Sequence, residues 1–270
     1  MPRALDFRPL ESDASTALAL ATAAGAHGAY VRNALAAGEH EGFVAACDGE
    51  PFAVAWFGAR GNLVLIADDR CQGVAPELAA RIHRSRHNWR IVLGPDPLVA
   101  ALAEGFDRKA LAQRRQAYYA ADPDDVPGDL VRDDVRAPTV RDRERLARAT
   151  LALNASDLNI PPNRVDRRWL YDMIDARIAD GTTRCIGPAG GLWTKLDFGS
   201  TGPGGVVIEG VFTFPDRRGR GLGSQLVATC IATGGQRMSL HVAEHNRAAR
   251  SAYERAGMRC VGSCSLLLLS

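Results

Sequence analysis

The sequence predicts a mixed α/β fold arranged as two domains in one chain. The chain has 270 residues, of which 46% are apolar and 24% charged, as expected for a globular protein. Segments with strand-like and helix-like patterns alternate through both halves. A stretch rich in proline, glycine and aspartate at residues 120–138 separates the halves. Together these observations predict two α/β domains joined by a surface connector.

The first half begins with the short segment Phe7–Leu10 and then alternates helices and strands. Its alanine-rich segments predict two helices, Ser15–Ala37 and Ala75–Arg86. Segments rich in aliphatic and aromatic residues predict the strands Gly42–Cys47, Phe52–Phe57, Leu63–Ala67 and Trp89–Leu93.

The second half opens with two predicted helices, Thr139–Leu153 and Asp166–Asp180. Its predicted strands are Arg184–Gly187, Leu192–Phe198, Val206–Phe214 and Met238–Ala243. The last four leucines, Leu266–Leu269, are far too few to span a bilayer and predict a buried final strand.

The strongest functional signal is the segment Phe214–Gly223, FPDRRGRGLG, which joins a predicted strand to a predicted helix. The helix shows its apolar residues at helical spacing, at Leu222, Leu226, Val227, Cys230 and Ile231. A strand that turns into a helix through glycines leaves several backbone N–H groups unpaired. The helix dipole favours an anion at that point, and the neighbouring arginines add positive charge. The segment therefore predicts a site for a phosphate or pyrophosphate.

The glycine spacing argues against two common nucleotide-binding loops. A Gly-Lys pair occurs nowhere in the chain, which argues against a P-loop. The dinucleotide pattern Gly-x-Gly-x-x-Gly fails because its last position is Ser224 or Leu226. The spacing that fits is Arg218-x-x-Gly221-x-Gly223.

A second motif follows at residues 246–258. Asn246 suits a helix N-cap and Gly257 suits the position after a helix end. One face of the intervening helix is formed by Ala249, Ala252, Tyr253 and Ala256. In order and spacing, the two motifs resemble the acyl-CoA pyrophosphate loop and the Asn-initiated, Tyr-bearing helix of the GNAT superfamily of N-acyltransferases. The resemblance is specific over residues 206–262.

The resemblance implies a GNAT fold, a mixed and mostly antiparallel sheet flanked by helices, at residues 138–270. The whole chain is similar to bacterial tandem GNAT proteins. On this view residues 1–122 form a degenerate GNAT-like domain without the phosphate loop, and residues 123–137 form the linker.

The family resemblance also implies an activity and a site. We expect an acetyl-CoA-dependent N-acetyltransferase, in which a primary amine attacks the thioester directly and passes through a tetrahedral intermediate. The resemblance assigns the general acid to Tyr253 and the base to Glu209. It assigns acyl-CoA binding to Val211, Thr213, Arg218, Gly219, Arg220, Gly221, Leu222, Gly223 and Asn246.

The base is open to alternatives. His241, His245 or a chain of water molecules could replace Glu209, which we expect to share a strand face with Val211 and Thr213. Lys195 and Asp197 could line the acceptor site, but a solvated strand face is the simpler reading. The polar segment Thr150–Arg164 is expected to shape the acceptor pocket.

Three functions remain open: an N-acyltransferase acting on an amine-bearing small molecule or peptide, a non-catalytic acyl-CoA sensor or interaction module, and a related transferase with a different donor.

Composition limits the partners of the protein. A net charge of +2 argues against nucleic acid as a binding partner. The scattered cysteines predict buried free thiols and no metal site. Residues 1–8 show no secretory signal, so we expect a cytoplasmic protein without a membrane partner. A homodimer is one option for its assembly.

Overall fold

The computed structural model describes residues 4–59, 61–85, 88–105 and 110–269. By compactness the chain divides into two units. The first unit extends to Tyr118 and also contains Thr201–Gly205 and the C-terminal strand from Val261 onward. The second unit contains Tyr119–Ser200 and Val206–Cys260. The domain boundaries proposed from the sequence, at residues 122 and 138, stay a prediction.

Helices and strands alternate along the chain. The elements up to residue 121 are β1 Leu5–Pro9, α1 Ala14–Ala23, α2 Ala29–Ala36, β2 Gly42–Cys47, β3 Glu50–Gly58, β4 Asn62–Ala67, α3 Ala75–His83, β5 Ile91–Gly94, α4 Asp96–Glu104 and β6 Ala110–Ala121. The later elements are α5 Arg143–Asp157, α6 Arg167–Ala179, β7 Thr183–Ile186, β8 Thr194–Gly202, β9 Gly205–Thr213, α7 Leu222–Gly234, β10 Met238–Ala243, α8 Arg247–Arg255 and β11 Arg259–Leu269. From α1 and from α5, the two series run through the same order of helices and strands.

The first unit is built on a mostly antiparallel sheet in the order β1-β2-β3-β4-β5-β11-β6. β1 to β4 pair antiparallel in sequence order, and β4 pairs parallel with β5. The four predicted strands of this half are confirmed, with β5 beginning at Ile91 rather than Trp89. β1, α4 and β6 were not predicted as elements, although Phe7–Leu10 overlaps β1.

The predicted helix Ser15–Ala37 is wrong as a single element. Gly25 has a φ of +60°, and the chain forms a 3-10 turn over Gly25–Gly28 between α1 and α2. A Cβ at Gly28 would lie 1.8 Å from the carbonyl oxygen of Ala21, so only glycine allows this close turn. The predicted helix from Ala75 ends at His83, and its proposed last residue, Arg86, lies outside the described residues.

The C-terminal strand β11 completes the first unit. From Ser265 to Leu268 it pairs antiparallel with β5. Leu267 and Leu269 lie in the main apolar core of this unit, and all four terminal leucines are buried. The buried final strand is therefore confirmed, and it joins the half of the chain that is most distant in sequence.

We expect Leu267→Ala to lower the free energy of unfolding by about 2–5 kcal/mol, because it removes a fully buried side chain and leaves a cavity. The matched control is Val261→Ala in the same strand, where the side chain is exposed and the change is expected within about 0.5 kcal/mol. Urea unfolding of both variants measures the difference. Equal losses would contradict a core position for Leu267.

The second unit carries the strand row β10-β9-β8-β7. β7 pairs antiparallel with β8, and β9 pairs parallel with β10. α5 and α6 cover one face, where their apolar residues form a core with Phe212 and Phe214. α7 lies on the other face, because a Cβ at Gly223 would contact the hydroxyl of Thr213 at 3.4 Å. This arrangement leaves the end of β9 next to the start of α7.

The structure confirms the predicted helix at α6 and corrects the start of the predicted helix at α5. Asp166 caps α6 by accepting a hydrogen bond from the N–H of Trp169. α5 begins at Arg143 rather than Thr139, because Thr139 and Asp142 form a capping box around a 3-10 turn. The predicted connector begins too early, since Ala120 and Ala121 are buried strand residues. Near its end Arg136 forms a β-bridge with Cys185.

Candidate functional site

The N-terminus of α7 presents a run of backbone N–H groups. Gly219 and Gly221 have φ values of +75° and +72°, and Gly221 is the N-cap. The first hydrogen bond of the helix joins the N–H of Gln225 to the carbonyl of Gly221, so the preceding N–H groups lie outside the helical ladder. A Cβ at Gly219 or Gly221 would meet no atom of the described residues within 4 Å. The predicted loop therefore forms an open, glycine-lined helix terminus.

The three arginines of the loop differ in what they contact. Arg217 lies over the ring of Trp193, 5.0 Å from its centroid, and pairs with Asp216 at 3.1 Å. Arg218 donates a hydrogen bond to the carbonyl of Thr213 at 3.1 Å, which fixes the loop to the end of β9. Arg220 is exposed. Two of the three guanidinium groups thus build the loop, and Arg220 faces solvent.

The loop residues fit a diphosphate group. The open space over Gly219 and Gly221 and the N–H groups ahead of the helical ladder are the features such an anion needs. The hydroxyl of Ser224, in the first turn of α7, is buried and has no hydrogen-bond partner among the described residues. A buried hydroxyl without a partner is rare in folded proteins.

Strands β9 and β10 are paired over a short length. Their parallel register joins Met238 to Val206 and Ser239 to Val207. Among the described pairs it does not extend to Val211 or Thr213, which lie farther along β9. On the β10 side, the backbone of that part of β9 is therefore positioned so that an extended ligand could pair with it as an added strand.

Strand β9 contains an irregularity at Gly210, which we call the Gly210 bulge. Gly210 has a φ of +54°, and its missing Cβ would point at Lys195 and Asp197. The carboxyl group of Glu209 occupies the space where a Cβ of Gly199 would lie, 2.1 Å from that position. Lys195, Asp197 and Gly199 alternate along β8 and so share one face. Consecutive residues 209 and 210 therefore face the same side, as in a β-bulge.

The bulge corrects the expected parity of Glu209. The hydroxyl of Thr213 lies 2.9 Å from that of Thr194, which faces the opposite side of β8 from Lys195. Glu209 consequently lies on the α5–α6 side of the sheet, while Thr213 lies on the α7 side. The prediction that these two side chains share a face is wrong, because it assumed a regular strand. A lone glycine inside an apolar strand is the sequence signal that marks such a bulge.

The solvated strand face expected for Lys195 and Asp197 is also wrong. Their exposed fractions are 2% and 4%. The Lys195 ammonium donates to Asp197 Oδ2, Arg177 of α6 pairs with the same oxygen, and Thr183 donates to Asp197 Oδ1 at 2.7 Å. Burial lowers the pKa of Lys195 against the opposing effect of Asp197. The two neighbouring cations lower the pKa of Asp197 despite its burial.

Helix α8 forms as predicted. Asn246 is its N-cap, and its side-chain oxygen accepts a hydrogen bond from the N–H of Ala249 at 3.1 Å. Gly257 follows the helix end with a φ of +94°, and a Cβ there would lie 2.4 Å from the carbonyl oxygen of Asp125. Both capping predictions are confirmed. The role of Asn246 in ligand binding stays a prediction.

Tyr253 is buried on the inner face of α8. Its ring centroid lies 6.1 Å from that of Tyr119, whose hydroxyl donates to Glu254 at 2.7 Å and accepts from Arg250 at 3.1 Å. Burial raises the pKa of Tyr253, and the negative charge of Asp157 at the end of α5 raises it further. The Tyr253 hydroxyl therefore keeps its proton at neutral pH, as a general acid must.

The two histidines that are alternative candidates for the base lie in and just after β10. His241 is half-buried within β10 and His245 follows that strand.

Five cysteines are buried as free thiols, and the expectation of a buried thiol is wrong for Cys260, which is exposed. Burial raises the pKa of Cys185 to about 11 and that of Cys230 to about 12. Within the described ranges, no three metal-ligating side chains cluster and no helix has the length and apolarity to cross a membrane.

The first unit differs at the position that corresponds to the loop. Between β4 and α3 it contains Asp68, whose carboxylate accepts hydrogen bonds from the N–H of Arg70 at 2.9 Å and from its guanidinium group. These contacts lower the pKa of Asp68. In the first unit, the loop between strand and helix thus contains a carboxylate, whereas the equivalent loop of the second unit contains open glycines.

Comparisons with known proteins agree with this fold. Residues 164–258, less than half of the chain, match the family model described as the acetyltransferase (GNAT) family. No curated protein sequence shows a significant match. A GCN5-related N-acetyltransferase from Sphaerobacter thermophilus is 17% identical, with a TM-score of 0.55 and coverage of 97% of this chain and 94% of that one.

Two further solved structures are similar. A structural-genomics protein from Drosophila is 14% identical, with a TM-score of 0.63 and coverage of 98% of both chains. An acetyltransferase from the GNAT family of Colwellia psychrerythraea is 13% identical, with a TM-score of 0.50 and coverage of 85% of both chains. At these identities the likeness shows the fold, a mostly antiparallel mixed sheet flanked by helices, as the sequence predicted.

Proposed function

We propose that residues 164–258, which match the acetyltransferase (GNAT) family model, form an acetyltransferase domain, and that the chain is an acetyl-CoA-dependent N-acetyltransferase acting on a primary amine. The observation that carries the proposal is the open, glycine-capped N-terminus of α7 beside the end of β9. We propose the cytoplasm as its location and an amine-bearing small molecule or peptide as its acceptor.

In this proposal the loop Arg218–Gly223 holds the pyrophosphate of acetyl-CoA through backbone N–H groups. Arg220, whose side chain is exposed, adds a positive charge. The pantetheine arm would add to β9 beside Val211 and Thr213, where the pairing with β10 has ended. Asn246, at the start of α8, would contact the same arm.

The transfer forms a carbon–nitrogen bond while the carbon–sulfur bond breaks, so one proton must leave the amine and one must reach the sulfur. Glu209 is proposed to accept the first proton, directly or through water, from its position over exposed Gly199. Tyr253 is proposed to donate the second, since its raised pKa keeps the hydroxyl protonated. The N–H of Val211 would polarise the thioester carbonyl.

Calorimetric titration with acetyl-CoA tests the proposal, with ATP and NAD as control ligands. We expect micromolar binding of acetyl-CoA alone, with one site per chain, because Asp68 occupies the corresponding loop of the first unit. A survey of primary amines for release of free CoA thiol then tests turnover. Absence of acetyl-CoA binding would refute the proposed function.

A second candidate is an acyl-CoA-binding module without turnover. The observation that favours it is the Gly210 bulge, which turns Glu209 to the sheet face opposite Thr213. Binding of acetyl-CoA with no thiol release for any amine would support this candidate over the enzyme.

The base assignment gives a direct prediction. Glu209→Gln should lower kcat by about 100-fold, because glutamine cannot accept the proton, while acetyl-CoA affinity stays unchanged. The control is His241→Gln on neighbouring β10, which should retain nearly full activity. Steady-state kinetics with a saturating amine distinguishes the two. Loss of activity only in the histidine variant would transfer the base role to His241.

A further inference from the structure

The buried charge cluster under β9 is not used by the proposed chemistry. Lys195 and Asp197 of β8 are both almost fully buried, and Asp197 also pairs with Arg177 of α6 and Thr183 of β7. Removing two charges from water costs free energy that their attraction often fails to recover, so such a pair is weak evidence for stabilisation. Its position therefore calls for another explanation.

The cluster lies directly against the Gly210 bulge. A Cβ at Gly210 would lie 2.8 Å from the Lys195 ammonium and 2.8 Å from Asp197 Oδ2. The three heavy atoms nearest to that position all belong to Lys195 and Asp197, and none to Arg177. The Lys195 ammonium also interacts electrostatically with Glu209. The bulge thus rests on the side of the cluster formed by β8, whereas Arg177 approaches from the helix side.

We propose that Lys195 and Asp197 are positioning residues that hold the Gly210 bulge. The bulge lies between Glu209 and Val211, so fixing it fixes both the carboxylate of Glu209 and the N–H of Val211. The catalytic roles of the Glu209 carboxylate and the Val211 N–H rest on the proposed function. The mechanical role of Lys195 and Asp197, which is to hold the bulge in place, does not depend on that function. Glycine is required at residue 210 both by its positive φ and by the close approach of the cluster.

Amide hydrogen exchange of the ligand-free full chain tests the mechanical role. Lys195→Met removes the ammonium but leaves Asp197 paired with Arg177 and Thr183. We expect exchange in the peptide covering β9 to accelerate about 10-fold or more, because the bulge loses its support. The matched control is Arg177→Gln, which removes the other cation of Asp197 and should leave exchange in β9 within about 2-fold. The proposal would be overturned if the β9 peptide exchanged at the same rate in both variants, or if it exchanged no faster in Lys195→Met than in the wild type.

A second variant covers the case in which Lys195→Met does not fold. Gly210→Ala retains the ion pair but places a methyl group against it, so exchange in β9 should rise in the same way. Unchanged exchange in Gly210→Ala would also overturn the proposal. Where both variants fold, the double variant should exchange no faster than either single one, because both act through one bulge.

Kinetics connects the cluster to the site. Lys195→Met should lower kcat about 10-fold or more through misplacement of Glu209 and Val211, with acetyl-CoA affinity nearly unchanged. Arg177→Gln should keep kcat. Accelerated exchange with unchanged kcat would confine the cluster to a structural role and overturn the catalytic part of the proposal. Failure of wild-type protein to bind acetyl-CoA would instead refute the proposed function and leave the exchange result standing.

Discussion

Gly221→Asp is expected to abolish acetyl-CoA binding while leaving the fold intact. Gly221 is the N-cap of α7, and in the part of the chain that the structure describes no atom lies within 4 Å of the position that a Cβ would occupy. Aspartate is a preferred N-cap residue and tolerates the left-handed conformation better than most side chains. Its carboxylate would accept hydrogen bonds from the N–H groups proposed for the pyrophosphate and would repel the phosphate charges.

The expected loss of affinity is at least about 100-fold, since hydrogen bonds to charged groups are worth about 1.5–3 kcal/mol each. Gly221→Asn is the matched control, because asparagine has the same shape and conformational tolerance without the charge. Calorimetry measures both affinities, and circular dichroism checks that α7 and the sheet remain folded. Wild-type affinity in the aspartate variant would exclude this helix terminus as the diphosphate site.

The site elements that could be predicted are those encoded by residues close in sequence. The Gly219–Gly223 terminus and the Asn246 cap each depend on backbone preferences of one or two residues, so the pattern alone located them. The strand before the loop was predicted to within one residue of β9. Local rules of this kind act in the same way in any fold.

The features that the sequence did not reveal depend on contacts distant along the chain. Lys195 and Asp197 alternate like a solvated strand face, but they are buried as an ion pair that Arg177 of the distant helix α6 also contacts. The strand face on which Glu209 lies depends on the Gly210 bulge, and the glycine within VVIEGVF is the one local signal that could have located that bulge. The place of β11 beside β5 joins residues about 170 positions apart, which no local pattern specifies.

Tyr253→Phe is expected to lower kcat by about 100-fold with little change in acetyl-CoA affinity. The substitution keeps the ring that packs in the interior and removes only the hydroxyl proposed to protonate the departing thiolate. Because the pKa of Tyr253 is raised above its ordinary value of 10.0, the wild-type rate should not fall through loss of this proton up to about pH 9.

The control is Tyr119→Phe, in the ring adjacent to Tyr253. Tyr119 carries hydrogen bonds to Glu254 and Arg250, so its loss should cost about 1 kcal/mol of stability and leave kcat unchanged. The pair therefore separates a chemical role from a structural one within a single cluster. A kcat close to wild type in Tyr253→Phe would remove its assignment as the acid, and the proton would then have to come from water. A comparable fall in both variants would instead mean that the packing of α8, and not the Tyr253 hydroxyl, limits the rate.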